Sequence, residues 1–297
     1  MNNGLLKTYL TVIDCGSFSA AAKHLGISQP AVTMQIHSLE EELGFSLLDR
    51  KYRRITLTEA GHMMKTYAKK ALAEEQGVLS DLAALSGEIS GTLSIASSTT
   101  PGNYLIPGML GNFLQQYPQV RCRLTISGSQ EVAHSVDACE VDLGITGAKI
   151  RGYRIDYKAC GHDELVPIAP PTFRAKTLTE DLTLEDLCSY PWIKRSGDSG
   201  TQQTIRELML ANHVSPEDLN YVVELDNAEA IIGAVEGGLG VAIVSRSAAE
   251  KALWLGTVIE LSVQSRPWRR RFYLARPRMT LTRAAEAFAD YLLKSLE

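Results

Sequence analysis

Two groups of polar side chains in this sequence have types and spacings that suit recognition chemistry. The first lies between Ser28 and Arg53. Gln29, Pro30, Thr33 and His37 would share the outer face of a helix, with Ser28 just ahead of it and Gln35 beside it. A glutamine amide can bond adenine, and a proline ring can pack on a thymine methyl, in the major groove. Ser28 and Gln35 are candidates for phosphate contact. Arg50 and Arg53 belong to the run Asp49-Arg50-Lys51-Tyr52-Arg53-Arg54, which suits phosphate or the minor groove. The second group is rich in hydroxyls: Ser98, Thr99 and Thr100; Thr146; Ser196, Ser199 and Thr201; and Asn227. Each sits where a predicted strand ends or a predicted helix begins. Helix N-termini carry free N–H groups and a partial positive charge, and hydroxyls add donors. The set therefore suits a small anion, a carboxylate or an inorganic oxyanion such as sulfate. Taken one at a time, each is more simply an N-cap, and His37 could equally be a solvent-facing histidine.

The elements that must position the first group are legible in residues 17–43. Ser17 caps a short helix carrying Ala20, Ala21, Ala22 and Leu25, and Gly26 stops it. Ser28 caps the next helix, with Pro30 in its first turn, where a missing N–H costs little. Val32, Ile36, Leu39 and Leu43 recur at helical spacing and face inward. A short helix, a glycine turn and a second helix with a hydrogen-bonding outer face read as a helix-turn-helix; a plain αα-hairpin with a polar solvent face fits the same residues. Leu5, Leu6, Tyr9, Leu10 and Ile13 predict a third helix that completes the core. Ile55 and Leu57 alternate with Thr56 and Thr58, so the basic run belongs to a hairpin, a wing beside the helix pair rather than a solvated charge run.

Thr58 then caps a proline-free stretch from Glu59 to about Gly87. Met64, Ala68, Ala71, Glu75, Val78, Leu82 and Leu85 form a heptad seam, which predicts a long dimerisation helix. Residues 86–91 break the composition, and β and α patterns alternate beyond them, which implies a parallel sheet. Strands are expected near 93–95, 120–127, 141–146, 165–169, 192–194, 221–225, 241–244 and 271–275. Thr100 should cap the helix after the first strand. Asp226 with Glu229 should form a capping box, and Thr282 should cap a final helix. The expected fold class is α/β: an all-α-type winged helix-turn-helix, a long linker helix, and a two-lobed domain with a cleft. The segment His162-Asp163-Glu164 reads as the hinge at the crossover.

Composition narrows the function. The chain has 297 residues, a formal net charge of −4 and 45% apolar content, so any basic patch must be local. No apolar run reaches transmembrane length, and Leu5 to Ile13 is too short for a signal peptide. The five cysteines form no CxxC pair and read as small buried residues of a reducing compartment. There is no nucleophile elbow, HExxH, Walker loop or cluster of metal ligands, and the six histidines are scattered singly. No catalytic residue, metal or cofactor is therefore expected. The competing reading is a small-molecule-binding protein or enzyme of the periplasmic-binding-protein fold with a helical N-terminal domain that does not touch DNA.

FSAAAKHLGISQPAVTMQIHSLEEELGFSLLDR followed by ITLTEAG resembles the DNA-binding domain and linker helix of LysR-type transcriptional regulators over the full signature. The remainder, with pieces such as GLGVAIVS, is similar in order to that family's effector domain, which resembles a periplasmic binding protein. The resemblance implies a winged helix-turn-helix at 1–58, a linker at 59–88 and an effector domain at 91–297. Lobe I would take 91–162 and 267–297, and lobe II 163–266. It further implies a cytoplasmic bacterial regulator, a homodimer assembling into a homotetramer, on a pseudo-palindromic double-stranded operator. A metabolite in the cleft would alter DNA bending and transcription, and RNA polymerase is a further partner. Met34-Gln35 departs from the family, where a basic residue commonly precedes the glutamine. The hydroxyl-rich loop at 97–100 is similar to that of the sulfur-metabolism branch, which points to sulfate or O-acetylserine.

Overall fold

The computed structural model describes residues 2–52, 54–84, 89–173, 182–196, 200–264 and 266–296. Three helices open the chain: α1 (Asn3–Cys15), α2 (Phe18–Leu25) and α3 (Gln29–Leu43). The Ser17 and Ser28 hydroxyl oxygens cap α2 and α3, accepting from Ala20 N at 3.1 Å and Ala31 N at 3.3 Å. Gly26 turns the chain between them at φ +68°, a conformation that favours glycine. Leu6, Tyr9, Val12, Ala21, Val32, Ile36 and Leu39 bury together. The expected hairpin follows as β1 (Leu48–Tyr52) and β2 (Arg54–Leu57), antiparallel, with Leu48 opposite Leu57. Glu40 ties it to α3, its Oε1 accepting from Leu47 N at 2.7 Å and Leu48 N at 3.2 Å.

The long helix is α4 (Glu59–Ala84). Its expected seam divides into two uses. Met64 and Ala68 are buried in the N-terminal core, and Ala71 packs against it. Glu75 lies 3.1 Å from the Lys7 ammonium of α1. Val78 and Leu82 are exposed, and Leu85 lies outside the described residues. Heptad spacing shows which positions share a face but not what covers them. Here the first half of that face completes the chain's own helical core. Met63 and Tyr67 make a second exposed apolar line near Phe45. Farther along, the Lys69 ammonium pairs with the Glu140 carboxylate, joining α4 to the second half of the chain.

That half begins β3 (Gly91–Ser98), α5 (Thr99–Tyr104), α6 (Ile106–Gln116), β4 (Val120–Ser127), α7 (Ser129–Asp137) and β5 (Leu143–Thr146). It continues β6 (Ile155–Ala169), α8 (Leu184–Leu187), β7 (Trp192–Arg195), α9 (Gly200–Ala211), β8 (Tyr221–Leu225) and α10 (Ala228–Glu236). It ends β9 (Ala242–Ser245), α11 (Arg246–Leu255), β10 (Ile259–Glu260), β11 (Trp268–Pro277) and α12 (Arg283–Ser295). The strands β4, β3 and β5 are parallel neighbours, as the alternation implies. They extend through β11 to β6, which β9 and β10 also join; β7 and β8 pair in parallel beside them. One lobe packs Leu93, Ile95, Phe113, Leu143 and Phe288. The other packs Trp192, Ile205, Met209, Val241 and Trp268 on one side and Ile168, Ile231, Val235 and Val244 on the other.

Three expectations need correction. First, β6 has 15 residues rather than beginning at 165, and β11 begins at Trp268 rather than Arg271. The stretch 162–164 is therefore mid-strand, where β6 passes from one lobe to the other. Exposed charged residues and a positive φ at Gly161 (+79°) break the period-2 pattern that would have disclosed the strand. Second, α5 starts one residue ahead of Thr100, with Ser98 in the N-cap position. Third, Asn227 caps α10 by accepting from Ala230 N at 2.8 Å, while Asp226 and Glu229 accept from the hydroxyls of Ser196 and Tyr104.

Gly61, in the first turn of α4, shows how tightly this helix seats. The Tyr9 hydroxyl donates to its carbonyl at 2.8 Å, and a Cβ there would lie 2.1 Å from the Leu47 carbonyl oxygen. Alanine ordinarily favours a helix interior by about 1 kcal/mol over glycine. Overpacking against fixed backbone costs about 1–3 kcal/mol and should dominate. Gly61→Ala is expected to lower the urea midpoint of the full-length protein; an unchanged or raised midpoint would contradict the packing described.

Candidate functional site

The outer face of α3 carries the first group of candidates. Gln29 and Pro30 are exposed in its first turn. Ser28 acts as the cap and is itself exposed. The Thr33 hydroxyl donates back to the Gln29 carbonyl at 3.0 Å and is half-buried. Gln35 is half-buried, its side-chain oxygen accepting from the Thr8 hydroxyl. His37 is exposed and lies 3.3 Å from the Glu41 carboxylate one turn on. Arg50 lies in β1, and Arg53 lies outside the described residues. Ser28, Gln29 and Pro30 therefore stand together at the start of α3, the part of a reading helix that meets base edges.

The second group converges on a cleft where β3, β7 and β11 end or cross. Arg270, the third residue of β11, is buried. Its Nε and Nη2 donate to Asp163 Oδ2 of β6 at 2.8 and 2.7 Å, Nη1 to Thr201 at 2.8 Å, and Nη2 to Thr100 at 2.9 Å. Ser245 donates to the other Asp163 oxygen at 2.7 Å. Arg195, the last residue of β7, is 7% exposed. It reaches Thr99 at 3.2 Å and Thr201 at 3.4 Å, and its Nε has no partner among the described residues. Nor does any described carboxylate form an ion pair with it. Burial and the neighbouring Arg270 cation hold the Arg195 guanidinium below its usual range. Across the mouth, the Tyr104 hydroxyl donates to Glu229 at 2.5 Å; burial and that bond push its pKa up.

Ser98, Thr99, Thr100 and Thr201 thus line one void of about 20 Å³, together with Ser129, Gly200 and Arg270. Thr146 is buried nearby but donates to the Ala148 carbonyl. Ser196 turns to Asp226, and Asn227 serves as a cap; neither lines the void. Ser199 lies outside the described residues. The charge balance follows directly. Asp163 neutralises Arg270, whereas Arg195 is bonded only to hydroxyls and is opposed at longer range by Glu229, a carboxylate that already accepts from the Tyr104 hydroxyl. Arg195 stands beside the void rather than among the residues that line it, and a buried guanidinium without a carboxylate in direct contact favours an approaching anion.

Sequence reasoning missed Arg195, Arg270 and Asp163. A signal for Arg270 was present: Trp268, Arg270 and Phe272 fall on one face of a period-2 strand, which places the middle arginine of three among buried side chains. The cysteines enter none of this. All five are free, and burial pushes the Cys160 thiol up to about 12.

Comparison with known proteins adds the family. Residues 4–62 match the family described as bacterial regulatory helix-turn-helix protein, lysR family, and residues 86–297 match the LysR substrate binding domain. A "Probable RuBisCO transcriptional regulator" of Trichormus variabilis is 36% identical, over 94% of this chain and 83% of its own length. The CcmR regulatory domain of Synechocystis PCC6803, solved in complex with 2-PG, is 26% identical with a TM-score of 0.63, covering 70% of this chain and 98% of that one. Full-length OxyR from Pseudomonas aeruginosa is similar in fold, with a TM-score of 0.80 at 20% identity over 98% of this chain and 94% of that one. Helix pair, wing, linker and two-lobed domain therefore make one assignment: the chain belongs to the LysR family of DNA-binding transcriptional regulators that respond to small-molecule effectors.

Proposed function

We propose that this regulator senses a small anion held between Arg195 and Arg270, and that the ligand changes how α3 and the wing engage DNA. The observation that carries the reading is Arg195: a buried guanidinium with an unpartnered Nε, in a cleft whose other cation already has its carboxylate. The hydroxyls of Thr99, Thr100 and Thr201 converge there from both lobes and could pass from the arginines to a ligand oxygen. Because a relative's domain is solved with 2-PG, that compound is the first candidate ligand. Sulfate and O-acetylserine, which the sulfur-metabolism resemblance implies, belong in the same titration.

The DNA contacts rest on Ser28, Gln29 and Pro30 at the start of α3, with Thr33, Gln35, His37, Arg50 and Arg53 as the surrounding set. Two copies are joined through the exposed apolar line of α4, Met63, Tyr67, Val78 and Leu82, continued by Phe45. Pairing would present two reading helices to two half-sites of a pseudo-palindrome, and dimers would pair again to a tetramer. The chain acts in the cytoplasm, where its DNA is, and performs no catalysis. Its relatives are named as regulators, and no helix among the described residues is long and apolar enough to cross a membrane.

Two measurements test this. In calorimetric titration of the full-length protein, Arg195→Ala should abolish anion binding that wild type shows; equal affinity in both would refute the assignment of the cleft. In gel shifts across a set of duplexes at fixed salt, Gln29→Ala should lose about 1–3 kcal/mol at one base position. A uniform loss across all sequences would make Gln29 a backbone contact instead.

A further inference from the structure

The polar link between the reading helix and the wing converges on one oxygen. α3 ends at Leu43, and Gly44 turns the chain at φ +72°. From the last full turn of α3, Glu40 reaches forward seven and eight residues along the chain. Its Oε1 accepts from Leu47 N at 2.7 Å and from Leu48 N at 3.2 Å, and the Ser46 hydroxyl donates to the same oxygen at 3.3 Å. These three residues lead into β1. From the other side Thr58, between β2 and α4, donates its hydroxyl to the Ser46 carbonyl at 2.7 Å and its N–H to the Leu47 carbonyl at 3.1 Å. The base of the hairpin is thus gripped from two helices, by Thr58 at the start of α4 and by Glu40 of α3.

Resting on the reading above of Arg50 and Arg53 as DNA contacts, we infer that Glu40 is a positioning residue: it sets the wing against the reading helix so that both meet one duplex together. Glu40 does not act by touching DNA. It is half-buried, its charge repels phosphate, and it lies eleven residues after Gln29, about 17 Å along the helix at 1.5 Å per residue. What it supplies is an accepting oxygen at a fixed distance, and an ionised acceptor makes the stronger kind of hydrogen bond. Without that oxygen the hairpin keeps its own pairing, Leu48 opposite Leu57 and Asp49 opposite Thr56, but loses its set spacing from α3. Base reading by the start of α3 then survives, and the phosphate contacts of the wing do not.

The test is the affinity of the full-length protein for an operator-bearing duplex, measured by fluorescence anisotropy across a range of salt. The slope of log K against log salt counts phosphate contacts at about 0.9 each. A constant inactive fraction leaves that slope unchanged, so loss of folded protein alone does not mimic the effect. Arg50→Ala with Arg53→Ala should lower the slope by about 2 for each bound protomer. Glu40→Asp keeps the charge but falls one methylene short, and should lower it by a similar amount. Glu40→Gln loses the charge but keeps the accepting oxygen, and should retain the wild-type slope. Both Glu40 variants should rank single-base changes in the operator as wild type does. If Glu40→Asp keeps the slope, if Glu40→Gln lowers it, or if either variant loses that ranking, the positioning role is refuted while the wing reading stands. If the arginine double variant itself leaves the slope unchanged, the wing does not grip phosphate, and this inference falls with that reading.

Discussion

The effector half of the chain is arranged around one buried ion pair on two neighbouring strands. Asp163 and Arg270 stand in register on β6 and β11, the strands that run through both lobes. Each is satisfied on every side: Asp163 by Arg270 and Ser245, Arg270 by Asp163, Thr100 and Thr201. Removing one partner of such a pair typically costs about 3–5 kcal/mol, because the survivor is left charged and dry. The pair therefore fixes the relation between the strands and, through the two threonines, the distance between the lobes. Arg195 is built beside it without an equivalent carboxylate. The fold gives one buried arginine a carboxylate in direct contact and gives the other hydroxyls, with Glu229 acting at longer range.

The DNA-binding half is connected to that cleft by a single element. The first part of α4 is the fourth wall of the helix-turn-helix core, and Glu75 faces Lys7 of α1. Between them Lys69 reaches Glu140, just past the end of α7, whose first residue, Ser129, lines the cleft. Burial pushes the Glu140 carboxyl up, but the Lys69 hydrogen bond and charge outweigh it and hold the pKa below its usual range. A shift of α7 on ligand binding would thus be felt along a rigid helix, which is the physical continuity that coupling requires.

Much of this was legible in the residues, and the failures have a common cause. Caps and turns are local: Ser17, Ser28, Gly26 and Thr282 do what their types predict. The helix-turn-helix signature carried the DNA-binding half in the same way. Thr99, Thr100 and Thr201 stand out in the sequence because each sits at an element boundary, and the structure brings them to one void. Long-range pairing leaves no such mark. Asp163 lies 107 positions from its arginine, and neither residue has a local reason to be buried. The seam of α4 divides for a related reason, since Met64 and Ala68 are buried in the N-terminal core with α1, while Val78 and Leu82 stay exposed. Ser196 and Asn227 show the remaining ambiguity: a polar residue at a boundary can close a helix or bond a neighbour instead of a ligand.

The central claim is that occupation of Arg195 is communicated to DNA. Fluorescence anisotropy of full-length protein on an operator-bearing duplex, with and without a saturating anionic ligand, measures it directly when wild type is compared with Arg195→Ala. The account predicts that ligand shifts the wild-type binding curve, while Arg195→Ala binds the same duplex and does not respond. An equal ligand-dependent shift in both proteins, or none in wild type with ligand demonstrably bound, would contradict it.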